Sequence, residues 1–312
     1  MTIGIDMMGG DYAPLEAVKG LSLYFQSTGT PASLLLLGDQ TTIENLLDEE
    51  GISRDHLTIV GTEQVIDMDD SPTRALKEKP KSSIAVGFQL LASGKMDAFI
   101  SAGNTGAMLV GTLFTIKALE GVIRPAISTI VPKVSGGSGI LLDVGLNADC
   151  KPEQLNQFAI MGNVYAQLIL GVEKPRVALI NVGEEEGKGN LLAQSAYPLL
   201  KENKHIHFIG NIEGRDLLMD KADVMVCEGF TGNILLKMAE SLYEVGRMRN
   251  LDDEFFNRFN FENYGGTPVL GVAKPVIIGH GISGSLAFSN MIKLAQLMLE
   301  KKVMEKMKEE LS

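Results

Sequence analysis

Two stretches of the chain carry one spacing. Asp97, Gly103, Thr105, Gly106 and Leu109 recur as Asp223, Gly229, Thr231, Gly232 and Leu235, at the same intervals. Each stretch opens as an apolar run, turns on Gly-x-Thr-Gly and resumes with helical periodicity, which predicts a strand, a tight loop and a helix. The pattern extends beyond the repeat. Short apolar runs stand at 3–6, 34–38, 57–60, 98–101, 140–144, 176–182, 207–210, 224–227 and 276–278, with helical stretches at 15–25, 82–93, 152–170, 190–202 and 285–311 among them. Strand alternating with helix predicts an α/β fold built on a mostly parallel sheet, with helices on both faces. No Pro/Ser-rich spacer or low-complexity tract divides the 312 residues, so the expectation is one α/β domain over 1–312, whose lobes, where it has two, share a sheet or pack tightly.

In open sheets of this kind the working loops gather outside the carboxyl ends of the strands. Seven polar, glycine-bearing loops qualify, at 6–11, 101–106, 143–147, 181–190, 229–233, 263–266 and 279–283. Glycine lets main chain approach a ligand closely, a helix start favours negative charge, and Thr or Asn side chains add neutral hydrogen bonds. Asn recurs in these loops at 104, 147, 181, 190, 233 and 263, and Lys188 is a cation flanked by Gly187 and Gly189. Such a set suits a phosphate and a developing oxyanion. Taken singly, each glycine turn is also what any α/β protein needs, and Lys188 read alone is a solvated loop lysine. No Gly-x-Gly-x-x-Gly follows the first strand and no Walker Gly-x-x-x-x-Gly-Lys-Ser/Thr occurs, which argues against nicotinamide cofactors and P-loop nucleotides.

A net charge of −11 argues against tracking a nucleic-acid backbone. The chain opens on an alternating strand with no basic, apolar leader, and its apolar runs fall far short of the roughly 20 residues a bilayer requires, so a cytoplasmic protein is expected. Cys150 and Cys227 lie in no Cys-x-x-Cys or Cys/His cluster, so neither a disulfide framework nor structural zinc is expected. No metal or cofactor is expected.

Six motifs, taken in order, closely resemble the PlsX family of bacterial phosphate acyltransferases. They are Asp6-Met7-Met8-Gly9-Gly10-Asp11, Ile100-Ser101-Ala102-Gly103-Asn104-Thr105-Gly106-Ala107, Leu141 through Glu153, Asn181 through Asn190, Glu228-Gly229-Phe230-Thr231-Gly232-Asn233 and Asn263-Tyr264-Gly265-Gly266. The resemblance runs from Ile3 to about Phe288. It implies an isocitrate/isopropylmalate-dehydrogenase-like fold, a homodimer, and transfer of a long-chain acyl group from acyl carrier protein to inorganic phosphate, giving an acyl phosphate for phospholipid synthesis. It also places the family's catalytic pair on Lys188 and Asn233. Between Leu235 and Glu262 the chain is shorter than many members by roughly two dozen residues, in the segment that carries their membrane contact. What remains holds Phe255, Phe256, Phe259 and Phe261, which suit either weak peripheral contact with the inner face of the membrane or a dimer partner.

The reaction so implied is direct attack of phosphate on a thioester. For it we assign Lys188 and Asn233 to catalysis, and Gly9, Gly10, Ser101, Gly103, Asn104, Thr105, Gly106, Asn147, Asn181, Thr231, Gly232 and His280 to binding phosphate or substrate. His280, set between glycines, could protonate the departing thiolate or bind phosphate, or be an ordinary loop residue. Asp6, Asp11 and Asp143 are read as loop-ordering acceptors of main-chain N–H groups, and Cys227 as an apolar strand residue. Arg247, Arg249 and Arg258 are candidates for meeting the acidic carrier protein. A phosphotransacetylase acting on acetyl-CoA, and a phosphate-sensing protein with an inactive site, are the competing readings.

Overall fold

The computed structural model describes residues 1–312. In chain order its elements are β1 (Thr2–Asp6), α1 (Leu15–Ser27), β2 (Ser33–Gly38), α2 (Gln40–Glu49), β3 (Leu57–Gly61), α3 (Pro72–Glu78), α4 (Ser83–Ala92), β4 (Ala98–Ser101), α5 (Thr105–Gly111), β5 (Ala126–Pro132), β6 (Ser138–Leu142) and α6 (Pro152–Leu168). There follow β7 (Arg176–Asn181), α7 (Leu191–Glu202), β8 (His207–Glu213), β9 (Val224–Val226), α8 (Gly229–Met248), α9 (Glu254–Asn257), β10 (Thr267–Leu270), β11 (Val276–Ile278), α10 (Ser285–Glu300) and α11 (Val303–Glu310). The chain divides into two compact units, one of residues 1–117 with 261–300 and one of residues 118–260 with 301–312.

In the first unit the strand order is β3-β2-β1-β4-β11-β10. Every pairing is parallel except β10 with β11. Its core gathers Leu37, Phe88, Phe99, Met108, Val269 and Val276, with Phe88 edge-on to Phe99 at 5.3 Å between centroids. On another face α1 packs against α10, and glycine is needed there: a Cβ on Gly20 would lie 2.5 Å from Phe288 Cβ. Ser285 N donates to Glu16 Oε2 at 2.8 Å, tying the start of α10 to α1.

In the second unit the order is β5-β6-β9-β7-β8, parallel except for the β5–β6 hairpin. Helix α6 is its central helix, burying Phe158, Met161 and Tyr165, and Pro152 occupies its first turn, where a missing N–H costs nothing. Lys133, buried at the end of β5, pairs with Asp223 at 2.5 Å and Asp220 at 3.2 Å, and Arg176 at the start of β7 pairs with the same two carboxylates. Two lysine and arginine charges thus meet two aspartates, so the buried cation is compensated.

The fold is the expected α/β architecture with a mostly parallel sheet. Both strands that the sequence pattern missed, β5 and β10, belong to the two antiparallel hairpins. β5 ends on Pro132 and β10 contains Pro268, and a residue without an N–H weakens any strand reading. The helical run at 285–311 is interrupted at Lys302, whose φ is 52°. Its two parts bury their apolar residues against different helices, α10 against α1 and α11 against α6.

Candidate functional site

Both copies of the repeat form the predicted strand, loop and helix, and the structure supplies a reason for their first residue. Asp97 N donates to Thr2 O at 2.8 Å while Thr2 N donates to the Asp97 carboxylate at 2.8 Å. In the second copy Asp223 N donates to Arg176 O at 2.8 Å and Arg176 N to the Asp223 carboxylate at 2.8 Å. Each aspartate therefore fixes the register of a parallel pair, β4 on β1 and β9 on β7, where the strands begin.

In the first unit the loop ends of β1, β4 and β11 come together. Ser101 Oγ donates to Asp6 Oδ2 at 2.6 Å and accepts Gly103 N at 2.9 Å, while Met8 N donates to the other Asp6 oxygen at 3.0 Å. Burial pushes the Asp6 carboxyl up from its ordinary value, against the hydrogen bonds from Ser101, Ser83, Met8 and Gly9. Gly9 and Gly103 touch main chain to main chain, and a Cβ on Gly9 would stand 2.6 Å from Gly103 N. Gly10 has a φ of 102°, and Asp11 N donates to Gly281 O at 2.7 Å. That contact brings the loop of His280 to the loop of Gly9 and Gly10, with the His280 ring 4.4 Å from that of Phe261.

Asn104 is the N-cap of α5. Its Oδ1 accepts Ala107 N at 2.9 Å, and its Nδ2 is shared among the carbonyls of Asp67, Met68 and Asp70 at 3.0–3.2 Å. The carboxamide is thus spent on holding the 67–70 segment to the helix start. Thr105 follows as the first helical residue, and Gly106 faces the Pro72 ring with no room for a Cβ.

In the second unit the equivalent helix begins two positions earlier in the repeat. Glu228 is the N-cap of α8; its carboxylate accepts Thr231 N at 2.8 Å and is hydrogen-bonded by the Thr231 hydroxyl. A negative side chain therefore occupies this helix start, which suits the helix dipole and occupies the Thr231 donors assigned above to phosphate. The first turn of α8 lies on the loop after β6. A Cβ on Gly232 would collide with the Asp143 carbonyl oxygen, and Gly229 N donates to Asn147 O at 2.7 Å. Asp143 is wholly buried and orders that loop, accepting Ile127 N at 2.9 Å, Asn147 N at 2.6 Å and Asn147 Nδ2 at 3.0 Å. Desolvation pushes its carboxyl up as well. Asn147 Nδ2 also reaches Pro125 O at 2.8 Å, and Asn233 Nδ2 donates to Val144 O at 3.2 Å.

The loop after β7 carries Lys188, whose side chain is 54% exposed with its Nζ 4.0 Å from Glu185 Oε1. The acids on either side of Glu185 are turned aside: Glu184 pairs with Lys221 at 2.8 Å and Glu186 with Lys201 at 2.9 Å. Asn181 braces the loop from inside. Its Nδ2 donates to Lys188 O at 3.0 Å and its Oδ1 accepts Val182 N at 2.8 Å. Because β7 and β9 are parallel neighbours, the Lys188 and Asn233 loops both follow the carboxyl ends of adjacent strands.

Among the residues named from sequence, the first unit brings together Gly9, Gly10, Ser101, Gly103 and the His280 loop. The second joins Asn147 to Thr231 and Gly232 through the Asp143 loop, and Asn181 to Lys188. Sequence reasoning passed over Glu228, although an acid three residues before Thr231 is a helix-cap signal. It also offered Arg258 as a carrier contact. Instead Arg258 Nη1 donates to Lys133 O at 3.0 Å and Nη2 to Gly137 O at 2.5 Å, bracing the β5–β6 turn. The phenylalanines of 255–261 likewise pack within the chain: Phe255 sits edge-on to Phe259 at 5.1 Å, and Phe259 is buried.

Solved structures share this architecture. A phosphotransacetylase from Streptococcus pyogenes matches with a TM-score of 0.67 at 18% identity, over 96% of this chain and 94% of that one. A 4-hydroxythreonine-4-phosphate dehydrogenase from Burkholderia phymatum matches with a TM-score of 0.50 at 16% identity, over 98% and 97%. At such identities the likeness defines a fold class, the mostly parallel α/β fold that phosphotransacetylases and dehydrogenases of this type have in common. Sequence narrows the class. The family described as "Fatty acid synthesis protein" matches residues 1–251, and a phosphate acyltransferase of Dictyoglomus turgidum is 41% identical over 331 residues, spanning 100% of this chain and 98% of the relative. The chain belongs to the fatty acid synthesis protein family of PlsX phosphate acyltransferases, and it is an enzyme of that family.

Proposed function

We propose that the protein transfers a long-chain acyl group from the thioester of an acyl carrier protein to inorganic phosphate, releasing the carrier thiol and an acyl phosphate. The observation that carries this reading is the loop of Lys188, an exposed cation with Glu185 alone at 4.0 Å, Glu184 and Glu186 being held off by Lys221 and Lys201. A phosphate oxygen attacks the thioester carbonyl carbon, the C–O bond forms, and the carbonyl electrons collect on oxygen as a tetrahedral oxyanion. Its collapse breaks the C–S bond, and the electron pair leaves on sulfur. Phosphate is partly dianionic near neutrality and a thiol of pKa about 8.5 leaves readily, so the enzyme mainly holds and orients. Positioning can supply about 7–11 kcal/mol and one oxyanion donor about 2.7–4 kcal/mol, which needs no covalent intermediate.

Lys188 neutralises the attacking phosphate or the oxyanion, and Asn233 gives an amide hydrogen to one of them. Cys227 is no rival nucleophile: burial pushes its thiol well above the ordinary value, and a protonated thiol does not attack. In the first unit the turn at Gly10 is the part suited to an anion, the Gly9 and Gly103 N–H groups being bonded to Asp6 and Ser101 and the side chains of Ser101 and Asn104 engaged with the protein itself. No helix is long and apolar enough to cross a membrane. A homodimer is supported by the row of exposed apolar residues along α8, Phe230, Ile234, Met238, Val245 and Met248, which a second copy of the chain can cover.

The test mixes the protein with palmitoyl carrier protein and phosphate and follows free thiol and acyl phosphate together. The two should appear in equal amounts. Lys188→Ala should keep the thermal melting point, since the side chain is exposed, while turnover falls on the order of 10²–10³-fold, as for loss of one charge-stabilising donor. Thiol without acyl phosphate means hydrolysis, and turnover confined to short acyl groups on CoA means the chemistry of a phosphotransacetylase.

A further inference from the structure

Within the second unit a cavity of about 310 Å³ opens between the carboxyl end of β7 and the first turns of α7 and α8. Leu155 of α6 and Leu179 of β7, both essentially buried, line it together with Leu192 of α7 and Leu235 of α8. Much of its polar lining is committed elsewhere. Asn190 accepts Ala193 N, Glu228 accepts Thr231 N, and Asn181 is bonded to Val182 N and Lys188 O. A ligand with amides or hydroxyls would replace few of the hydrogen bonds it loses to water, whereas hydrocarbon loses none. The same lining leads to the chemistry proposed above, because Asn181 holds the Lys188 carbonyl and Thr231 lies two residues from Asn233.

We propose that this cavity receives the hydrocarbon of the acyl group, and that Leu192 and Leu235 set how long a chain it accepts. The inference rests on the acyl-transfer reading and adds to it a place for the chain. The volume stands at the small end of the roughly 300–1,000 Å³ typical of ligand pockets, so it holds a stretch of alkyl chain and not the whole carrier arm. Cys227 also lines the cavity, and its protonated thiol serves there as one more apolar surface.

The chain contains no tryptophan, which makes Leu192→Trp both an obstruction and a reporter. With hexadecanoyl and octanoyl carrier protein as paired substrates, the ratio of kcat/KM for long over short chain should fall at least tenfold in Leu192→Trp. Leu235→Phe, a smaller intrusion at a half-buried position, should lower it at least threefold. Octyl phosphate should shift the fluorescence of Leu192→Trp to the blue in a saturable manner, and methyl phosphate should not. A ratio unchanged in both variants, or equal response to the two phosphates, overturns the inference. The acyl-transfer reading fails separately, if the unsubstituted protein makes no acyl phosphate from either carrier substrate.

Discussion

The two copies of the repeat share their spacing and their strand-start aspartate, yet they are finished differently. At the fifth position after that aspartate stands Ala102 in one copy and Glu228 in the other; at the seventh stand Asn104 and Phe230. A helix begins where a side chain can accept the first free N–H groups, so α5 starts after Asn104 and α8 two positions earlier, after Glu228. The shared glycines accordingly change duty. Gly232 lies inside the first turn of α8 against the Asp143 carbonyl, whereas Gly106 lies in the first turn of α5 against the Pro72 ring. One helix start is capped by a neutral amide and the other by a carboxylate, so equal sequence spacing does not make two equal anion sites.

The sharpest way to break the comparison is to place a methyl at the shared glycine. Gly232→Ala should destabilise by about 3 kcal/mol or more, the upper range for overpacking, because a backbone carbonyl cannot move aside. Gly106→Ala meets only a proline ring and should cost about 1–2 kcal/mol. Urea unfolding of the two variants measures the difference, and equal costs would mean that the turns are interchangeable.

Next in size is the leading aspartate. Asp223→Asn leaves the buried Lys133 and Arg176 with one carboxylate less, a loss toward the lower end of the about 3–5 kcal/mol for breaking a buried pair, since Asp220 remains. Burial raises the Asp223 carboxyl, but hydrogen bonds from Arg176 and Lys133 outweigh it and hold the group below the carboxylate range. A depressed folded-state value contributes stability above the unfolded value of about 3.9 and loses it as the pH falls further. The gap between Asp223→Asn and the unsubstituted protein should therefore be full at pH 7 and shrink below pH 4. Asp97, with a side chain 47% exposed, should give a far smaller change when replaced by Asn.

The cap substitutions come last. Asn104→Ala removes an N-cap, about 0.5–2 kcal/mol, and also frees three carbonyls of the 67–70 segment, so about 2 kcal/mol is expected with faster hydrogen exchange there. Glu228→Gln keeps an acceptor for Thr231 N and should cost only a few tenths of a kcal/mol, chiefly from the helix dipole.

Much of the fold was legible because strand and helix periodicity is a local property. Nine of the apolar runs correspond to strands, and Ser82, Pro152 and the Gly-x-Thr-Gly turns mark real helix starts. The two hairpin strands were not legible, because Pro132 and Pro268 disguise segments that only pairing with β6 and β11 makes extended. In the site, the residue types were visible and their duties were not. Asn104, Asn147 and Asn181 read as ligand donors, but each spends its amide on a carbonyl remote in sequence or across its own loop.

The sequence by itself determined the α/β class, the repeat, the family and the loops in which a phosphate chemistry could reside, since those follow from spacing and residue type. Tertiary structure alone decided which of the polar side chains are consumed in holding loops, that the repeat's aspartates lock parallel strands at their starts, and that an apolar cavity stands beside the Lys188 loop. Hydrogen-bond capacity is fixed by residue type, but the partner that uses it is fixed only when distant segments meet in space.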